Sequence, residues 1–232
     1  MILDALLDWL YPPRCVACRM ILCLTAQDEG AFKKQGKYFC ATCRVLLVPS
    51  RTPPEGPFGA AFPYCEVLAE MLHEIKFRNK RRVAEGLGFL LAEVAAGLVP
   101  PETDCIVPVP LHRSRERARG FNQAVVLARP VAQKLHIPLR ADGLVRVRKT
   151  RPQAGLSVQA RENNVARAFA SRGDFAGKTV CLLDDIYTTG ATMNACAQVL
   201  RENGAERVVG LSLALAERKT PEQKSQEPKP LT

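Results

Sequence analysis

Aromatic side chains are scarce in this chain of 232 residues: 1 Trp, 4 Tyr and 9 Phe make up 6% of it. Long apolar runs are missing as well. None approaches the roughly 18–20 residues that cross a bilayer, so no membrane span is expected. The opening MILDALLDWLYPPRC is apolar but carries Asp4 and Asp8, with no basic residue before Arg14. It lacks the basic flank of a secretion signal, and a cytoplasmic protein is expected. There is no internal repeat. A disulfide framework is not required at this length, and 47% hydrophobic side chains exclude a disordered chain.

Positive charge is what the chain has in excess: 33 Lys and Arg against 23 Asp and Glu give +10. The excess is local. Residues 112–172 hold 14 basic and 3 acidic side chains, a balance of +11, which leaves −1 for the rest. Such a stretch suits an anionic partner, whether polyphosphate, nucleic acid or a lipid surface. A merely solvated basic face would read the same way.

Four of the 9 cysteines form two pairs, Cys15-Val-Ala-Cys18 and Cys40-Ala-Thr-Cys43. Two such knuckles can supply the four thiolates of a tetrahedral zinc site, and a site filled by protein ligands is structural rather than catalytic. Four unrelated thiols, or two disulfides, are the competing readings; the expected compartment disfavours the latter. Cys23 is a spare that could compete for a ligand position. Cys65, Cys105, Cys181 and Cys196 sit among apolar neighbours and read as small core residues.

Along the chain, residues 1–52 read as a zinc-ribbon module led by an amphipathic Leu3, Leu6, Leu7 and Leu10. RTPPEGPFG (51–59) is a Pro/Gly linker, and a second domain is expected over 60–216. Residues 68–98 have helical spacing, broken near Arg78-Asn79-Lys80. DCIVPVP (104–110), KTVCLLDD (178–185) and RVVGLSLALA (207–216) read as buried strands. A helix is expected over 122–135 with a kink at Pro130, and another over 191–203 ended by Gly204. The polar, Pro-rich tail 217–232 is expected to be disordered. Strands alternating with helices predict an α/β protein with a mainly parallel sheet covered on both faces.

Chemistry concentrates in Val180-Cys181-Leu182-Leu183-Asp184-Asp185-Ile186-Tyr187-Thr188-Thr189-Gly190-Ala191-Thr192. A buried strand ends in two carboxylates, and a loop of hydroxyls and glycine then opens a helix. The loop and helix start form a phosphate cradle, and ligands of open α/β sheets lie at the carboxyl ends of strands. Asp184 and Asp185 suit hydroxyl groups or a hydrated Mg²⁺. Phosphate, hydroxyls and carboxylates together describe a ribose phosphate. The bland alternative is a helix start with acidic neighbours.

These thirteen residues resemble the phosphoribosyl pyrophosphate (PRPP) signature of type I phosphoribosyltransferases. IVPVPLHRSRERARGFNQ (106–123), RKTRPQAGLS (148–157), RENNVARAF (161–169) and the two Cys pairs narrow the resemblance to the competence protein F (ComF) family. It covers residues 10–216. It implies a type I phosphoribosyltransferase fold with a small N-terminal zinc ribbon. It further implies that Asp184 and Asp185 hold the ribose hydroxyls with Mg²⁺ nearby, and that Thr188, Thr189, Gly190, Ala191 and Thr192 wrap the 5-phosphate. Pro110, Leu111, His112 and Arg113 would form the pyrophosphate loop. Residues 146–157 would be a covering flap, with Arg113, Arg148, Lys149 and Arg151 as the basic groups facing PRPP. Similar sequences usually run a helix through position 130 without a proline.

Three classes of function follow. One is a transferase acting on PRPP with an unnamed acceptor; no base-reading, ammonia-donor or glutaminase module accompanies it. The second is a PRPP-binding regulator without turnover. The third, which the family name implies through natural competence and DNA uptake, is an adaptor for single-stranded DNA or for proteins of the uptake machinery. Residues 112–172 contain only Phe121 and Phe169 as aromatic residues, which favours backbone contacts over base stacking. Phosphoribosyltransferases are often dimers, and the sequence leaves a homo-oligomer open.

Overall fold

The computed structural model describes residues 12–22, 38–49, 56–148 and 168–216. In chain order these form α1 (Ala41–Leu46), β1 (Phe58–Pro63), α2 (Glu66–Phe77), α3 (Arg81–Val94), β2 (Cys105–Pro108), α4 (Arg113–Arg119), α5 (Gln123–Leu135), β3 (Leu144–Arg146), β4 (Phe169–Ser171), β5 (Thr179–Tyr187), α6 (Ala191–Glu202) and β6 (Arg207–Leu215). The main sheet has the order β1-β6-β5-β2, with every pairing parallel. β3 and β4 form a separate antiparallel pair.

Both faces of the sheet are covered, which is why β5 reads as a nearly unbroken apolar run. Alternate residues of that strand enter different layers. Cys181 and Leu183 join the core made with α2, α3 and α5, whereas Val180 and Leu182 pack with α6, Leu144, Phe169 and Phe175. Each helix supplies the stripe this demands. α2 buries Leu68, Met71, Leu72 and Ile75, one face at helical period. It stops at Arg78, and Asn79 follows at φ +53°, a left-handed conformation that asparagine tolerates.

α5 runs as one element through Pro130. The proline belongs to a close contact: a Cβ on Gly88 of α3 would lie 3.2 Å from the Leu127 backbone and 3.2 Å from Pro130 Cγ. β1 overlaps the segment expected as linker. Phe58 pairs with Gly210 and Pro63 with Leu215, so a Pro/Gly-rich stretch becomes an edge strand through pairing rather than propensity. The position of Gly210 explains its lack of a side chain, since a Cβ there would come within 2.5 Å of Phe58 and 2.6 Å of Met193.

The cysteine-bearing segments rest against α2 and α3. Cys15, Val16, Leu22, Phe39, Cys43 and Leu47 belong to the same buried cluster as Leu87, Leu91 and Leu127. Tyr38 stacks on Phe89 at 5.3 Å. Arg44 bonds Glu93 at 3.2 Å, and Arg19 bonds the buried Glu74 of α2. Among the described residues no helix is long and apolar enough to cross a membrane.

Candidate functional site

The carboxyl ends of the parallel strands β2 and β5 lie side by side. Val109 N–H donates to Leu183 O at 2.8 Å, one residue before Asp184. The turn Pro110-Leu111-His112-Arg113 therefore leaves the sheet beside the two carboxylates. His112 is the N-cap of α4: its Nδ1 accepts from Ser114 N–H at 3.3 Å. It also bridges to Arg146, which brings the end of β3, where the expected flap begins, next to that turn. Arg113 and Arg148 are exposed. Lys149 and Arg151 lie outside the described residues.

Asp184 and Asp185 are both buried, at 9% and 5% exposure. Asp184 Oδ1 accepts from Asp185 N–H at 2.8 Å. Its sheet neighbour on β6 is Ser212, fully buried, whose hydroxyl has no hydrogen-bond partner among the described residues. Burial and the adjoining Asp185 charge push the Asp184 carboxyl well above the usual range. Asp185 behaves in the opposite way. Burial would raise it too, but Lys76 Nζ, 2.8 Å from Oδ2, holds it below the usual value.

Past the carboxylates, β5 ends and the chain turns through Thr188, Thr189 and Gly190 into α6. Gly190 has φ +78°, and a Cβ there would meet the Tyr187 hydroxyl at 2.6 Å. The left-handed backbone favours glycine there, and a larger residue would also displace the Tyr187 hydroxyl. Thr189 Oγ1 accepts from Ala191 N–H at 3.4 Å, and Asn194 N–H closes the first helical bond to Gly190 O at 2.7 Å. Thr188 is exposed, Thr189 and Thr192 are half-buried, and Gly190 and Ala191 are buried at the helix start. Amides and hydroxyls are gathered there, as an anion requires.

Several residues at this site escaped sequence reasoning. Lys76 arrives from the last turn of α2. Gln123 Nε2 donates to Asp185 Oδ2 at 3.4 Å, and Arg119 donates to Gln123 Oε1 and, at 3.4 Å, to Lys76 O. Arg146 lies over the Phe169 ring at 5.2 Å, and burial followed by the nearby Arg115 lowers its pKa. Tyr187 packs on Phe58 with ring centroids 6.4 Å apart. Only the helical periodicity of α2 carried a trace of Lys76, since it fixes which side of that helix faces the sheet.

The second cluster is made by the four cysteines. The Sγ atoms of Cys15, Cys18, Cys40 and Cys43 all lie within 4.8 Å of one another. Cys18 and Cys40 are 3.7 Å apart, far beyond the roughly 2.05 Å of a disulfide. Metal–sulfur bonds of about 2.3 Å in a tetrahedron put sulfurs roughly 3.8 Å apart, so the group fits a metal ion. Cys40 N–H points at Cys15 Sγ and Cys43 N–H at Cys40 Sγ, each at 3.4 Å. Burial raises the Cys15 pKa, but amide hydrogen bonds from Cys40, Cys18 and Ala17 outweigh it and bring the thiol down to about 7.

Comparison with known proteins agrees with the fold and defines its class. Residues 122–231 match the model of the phosphoribosyl transferase domain. The chain is 31% identical to DNA utilization protein YhgH of Escherichia coli K12 over 216 residues, covering 85% of this chain and 94% of that one. It is 35% identical to competence protein F of Haemophilus influenzae over 162 residues, 66% of this chain and 70% of that one. The chain belongs to this ComF/YhgH family. Among solved structures it is similar to the glutamine PRPP amidotransferase of Bacillus subtilis, with a TM-score of 0.42 and 24% identity over 61% of this chain and 30% of that one.

Proposed function

We propose that the chain binds PRPP at the carboxyl ends of β2 and β5. The observation that carries this is the run from buried Asp184 and Asp185 through left-handed Gly190 into α6, which puts carboxylates and an anion cradle at the two ends of one strand-to-helix turn. Asp184 and Asp185 would hold the ribose hydroxyls, and Thr188 to Thr192 the 5-phosphate. The turn Pro110 to Arg113 would face the pyrophosphate, with Arg148, Lys149 and Arg151 closing over it. Mg²⁺ fits as the charge partner of the pyrophosphate beside the carboxylates. In a transfer reaction the bond from ribose C1 to the pyrophosphate oxygen breaks and an acceptor bonds to C1. The protein's share is to stabilise charge and exclude water.

The four cysteines are read as a structural zinc site, since protein thiolates fill every position. The names of the relatives support a working context in DNA uptake or utilisation. α4 supports a phosphodiester backbone as a second partner: it carries Arg113, Arg115 and Arg117 ahead of Arg119 and buries none of its residues.

Calorimetry with PRPP and Mg²⁺ tests the site in the wild type and in an Asp184→Ala/Asp185→Ala variant. Heat of binding in the wild type alone is expected; negligible heat in both removes the proposal. Pyrophosphate release on incubation with PRPP then separates a transferase from a protein that binds without turnover.

A further inference from the structure

Lys76 has no counterpart in the motif that marks the site, yet its Nζ lies only 2.8 Å from Asp185 Oδ2. The contact is built from several sides. Gln123 Nε2 donates to the same oxygen at 3.4 Å, Arg119 donates to Gln123 Oε1, and the other Arg119 nitrogen reaches Lys76 O at 3.4 Å. The ring of four residues joins the end of α2, the end of α4, the start of α5 and the end of β5. Lys76 retains 28% side-chain exposure whereas Asp185 keeps 7%, so the carboxylate is the buried member and the ammonium reaches it from the edge.

We propose that Lys76 is a positioning residue for the sugar end of the ligand. It acts through Asp185, keeping that carboxylate charged and pinned by Oδ2 in the orientation in which it accepts from a ribose hydroxyl. This rests on the PRPP reading above. Of two neighbouring buried carboxylates only one readily stays charged, and the ammonium beside Asp185 makes it that one before any ligand arrives. Removing that ammonium leaves Asp185 to take up a proton, which turns a fixed acceptor into a hydroxyl donor. The phosphate cradle at Thr188 to Thr192 contains no part of this ring and is unaffected.

The test compares calorimetric affinities for ribose 5-phosphate, 2-deoxyribose 5-phosphate and xylose 5-phosphate in wild type, Lys76→Met, Lys76→Arg and Gln123→Met. The wild type is expected to prefer the ribose compound, by about tenfold or more for a hydrogen bond to a charged group. Lys76→Met should lose that preference against at least one of the other two sugars while its affinity for the disfavoured sugars stays within about twofold. Lys76→Arg should retain most of the preference, and Gln123→Met, which keeps the ammonium, should lose only part of it. An undiminished preference in Lys76→Met overturns the inference. So does an equal loss for all three sugars, which would place Lys76 in the phosphate field instead. Should Lys76→Met not fold, equal preferences in Lys76→Arg, Gln123→Met and wild type overturn it as well. Binding of no sugar phosphate by the wild type removes the PRPP reading itself, and this inference with it. Binding of all three without preference in the wild type leaves the phosphate cradle standing and removes the role of Lys76 alone.

Discussion

Asp184 and Asp185 are consecutive on β5, and the amide of Asp185 donates to the Asp184 carboxylate at 2.8 Å. The lysine ion pair falls to the second of them: Lys76 lies 2.8 Å from Asp185. The pair is therefore asymmetric before any ligand binds, with Asp185 charged and Asp184 biased toward the neutral acid.

That asymmetry separates two conservative substitutions. Asp184→Asn replaces a group that resists ionisation by a neutral one that can still accept from Asp185 N–H, and should raise stability by about 1 kcal/mol at neutral pH. Asp185→Asn strands Lys76 and should cost about 1–3 kcal/mol, below the full penalty for a buried pair because the lysine is partly exposed. The pH dependence has a definite sign. A raised Asp184 binds a proton in the folded chain that the unfolded chain has lost, so its contribution to stability falls as pH rises from the ordinary 3.8 toward the folded value. Asp185, held low, contributes stability that disappears as pH drops below 3.8. Denaturant melts across pH should show a flatter profile above pH ~4 for Asp184→Asn, and a smaller flattening for Asp185→Asn, which removes only the second of the two causes that raise Asp184.

Gly190→Ala should damage the anion cradle more than the fold. The left-handed backbone costs a non-glycine residue about 1–2 kcal/mol, and the new methyl group meets the Tyr187 hydroxyl. Titration of PRPP should show at least about a tenfold loss of affinity, with a melting temperature only some 3–8 °C lower. An unchanged affinity would contradict the placement of the phosphate at this turn.

Release of the metal should be felt as lost stability. Acid-released zinc, measured with a colorimetric chelator, is expected at one ion per chain. Cys43→Ser should abolish it and lower the melting temperature, since Cys43 and Cys15 belong to the main buried cluster. A zinc-free wild type with the same melting temperature would rule out a structural ion.

Binding of single-stranded DNA through α4 should respond to salt and ignore sequence. Changing Arg113, Arg115 and Arg117 together to Gln should reduce the salt slope by about 0.7 for each phosphate that is no longer neutralised. Absence of binding at low salt removes this partner.

Much of the architecture was legible because apolar pattern and topology coincide. Thr179–Tyr187 and Arg207–Leu215 read as buried strands, and the helices over 66–94 break at Asn79, where a left-handed residue interrupts them. Phe58–Pro63 was hidden, since it runs directly on from the Pro/Gly segment before it and its partner β6 lies far along the chain. α5 continues through Pro130, whose ring lies beside Gly88 of α3, a pairing distant in sequence. At the site, the motif from Asp184 to Thr192 is local and could be read directly. Lys76 and Gln123 reach Asp185 from two other elements, Arg119 joins them from a third, and no linear spacing connects them.

The core that holds α3 and β5 also holds Cys15 and Cys43, and Arg19 of the first knuckle grips Glu74, two residues before Lys76 on α2. The cysteine cluster and the Lys76–Asp185 pair thus meet on a single helical turn. Loss of the ion proposed for the knuckles would slacken the turn that presents Lys76, and the sugar preference proposed for that residue would weaken with it.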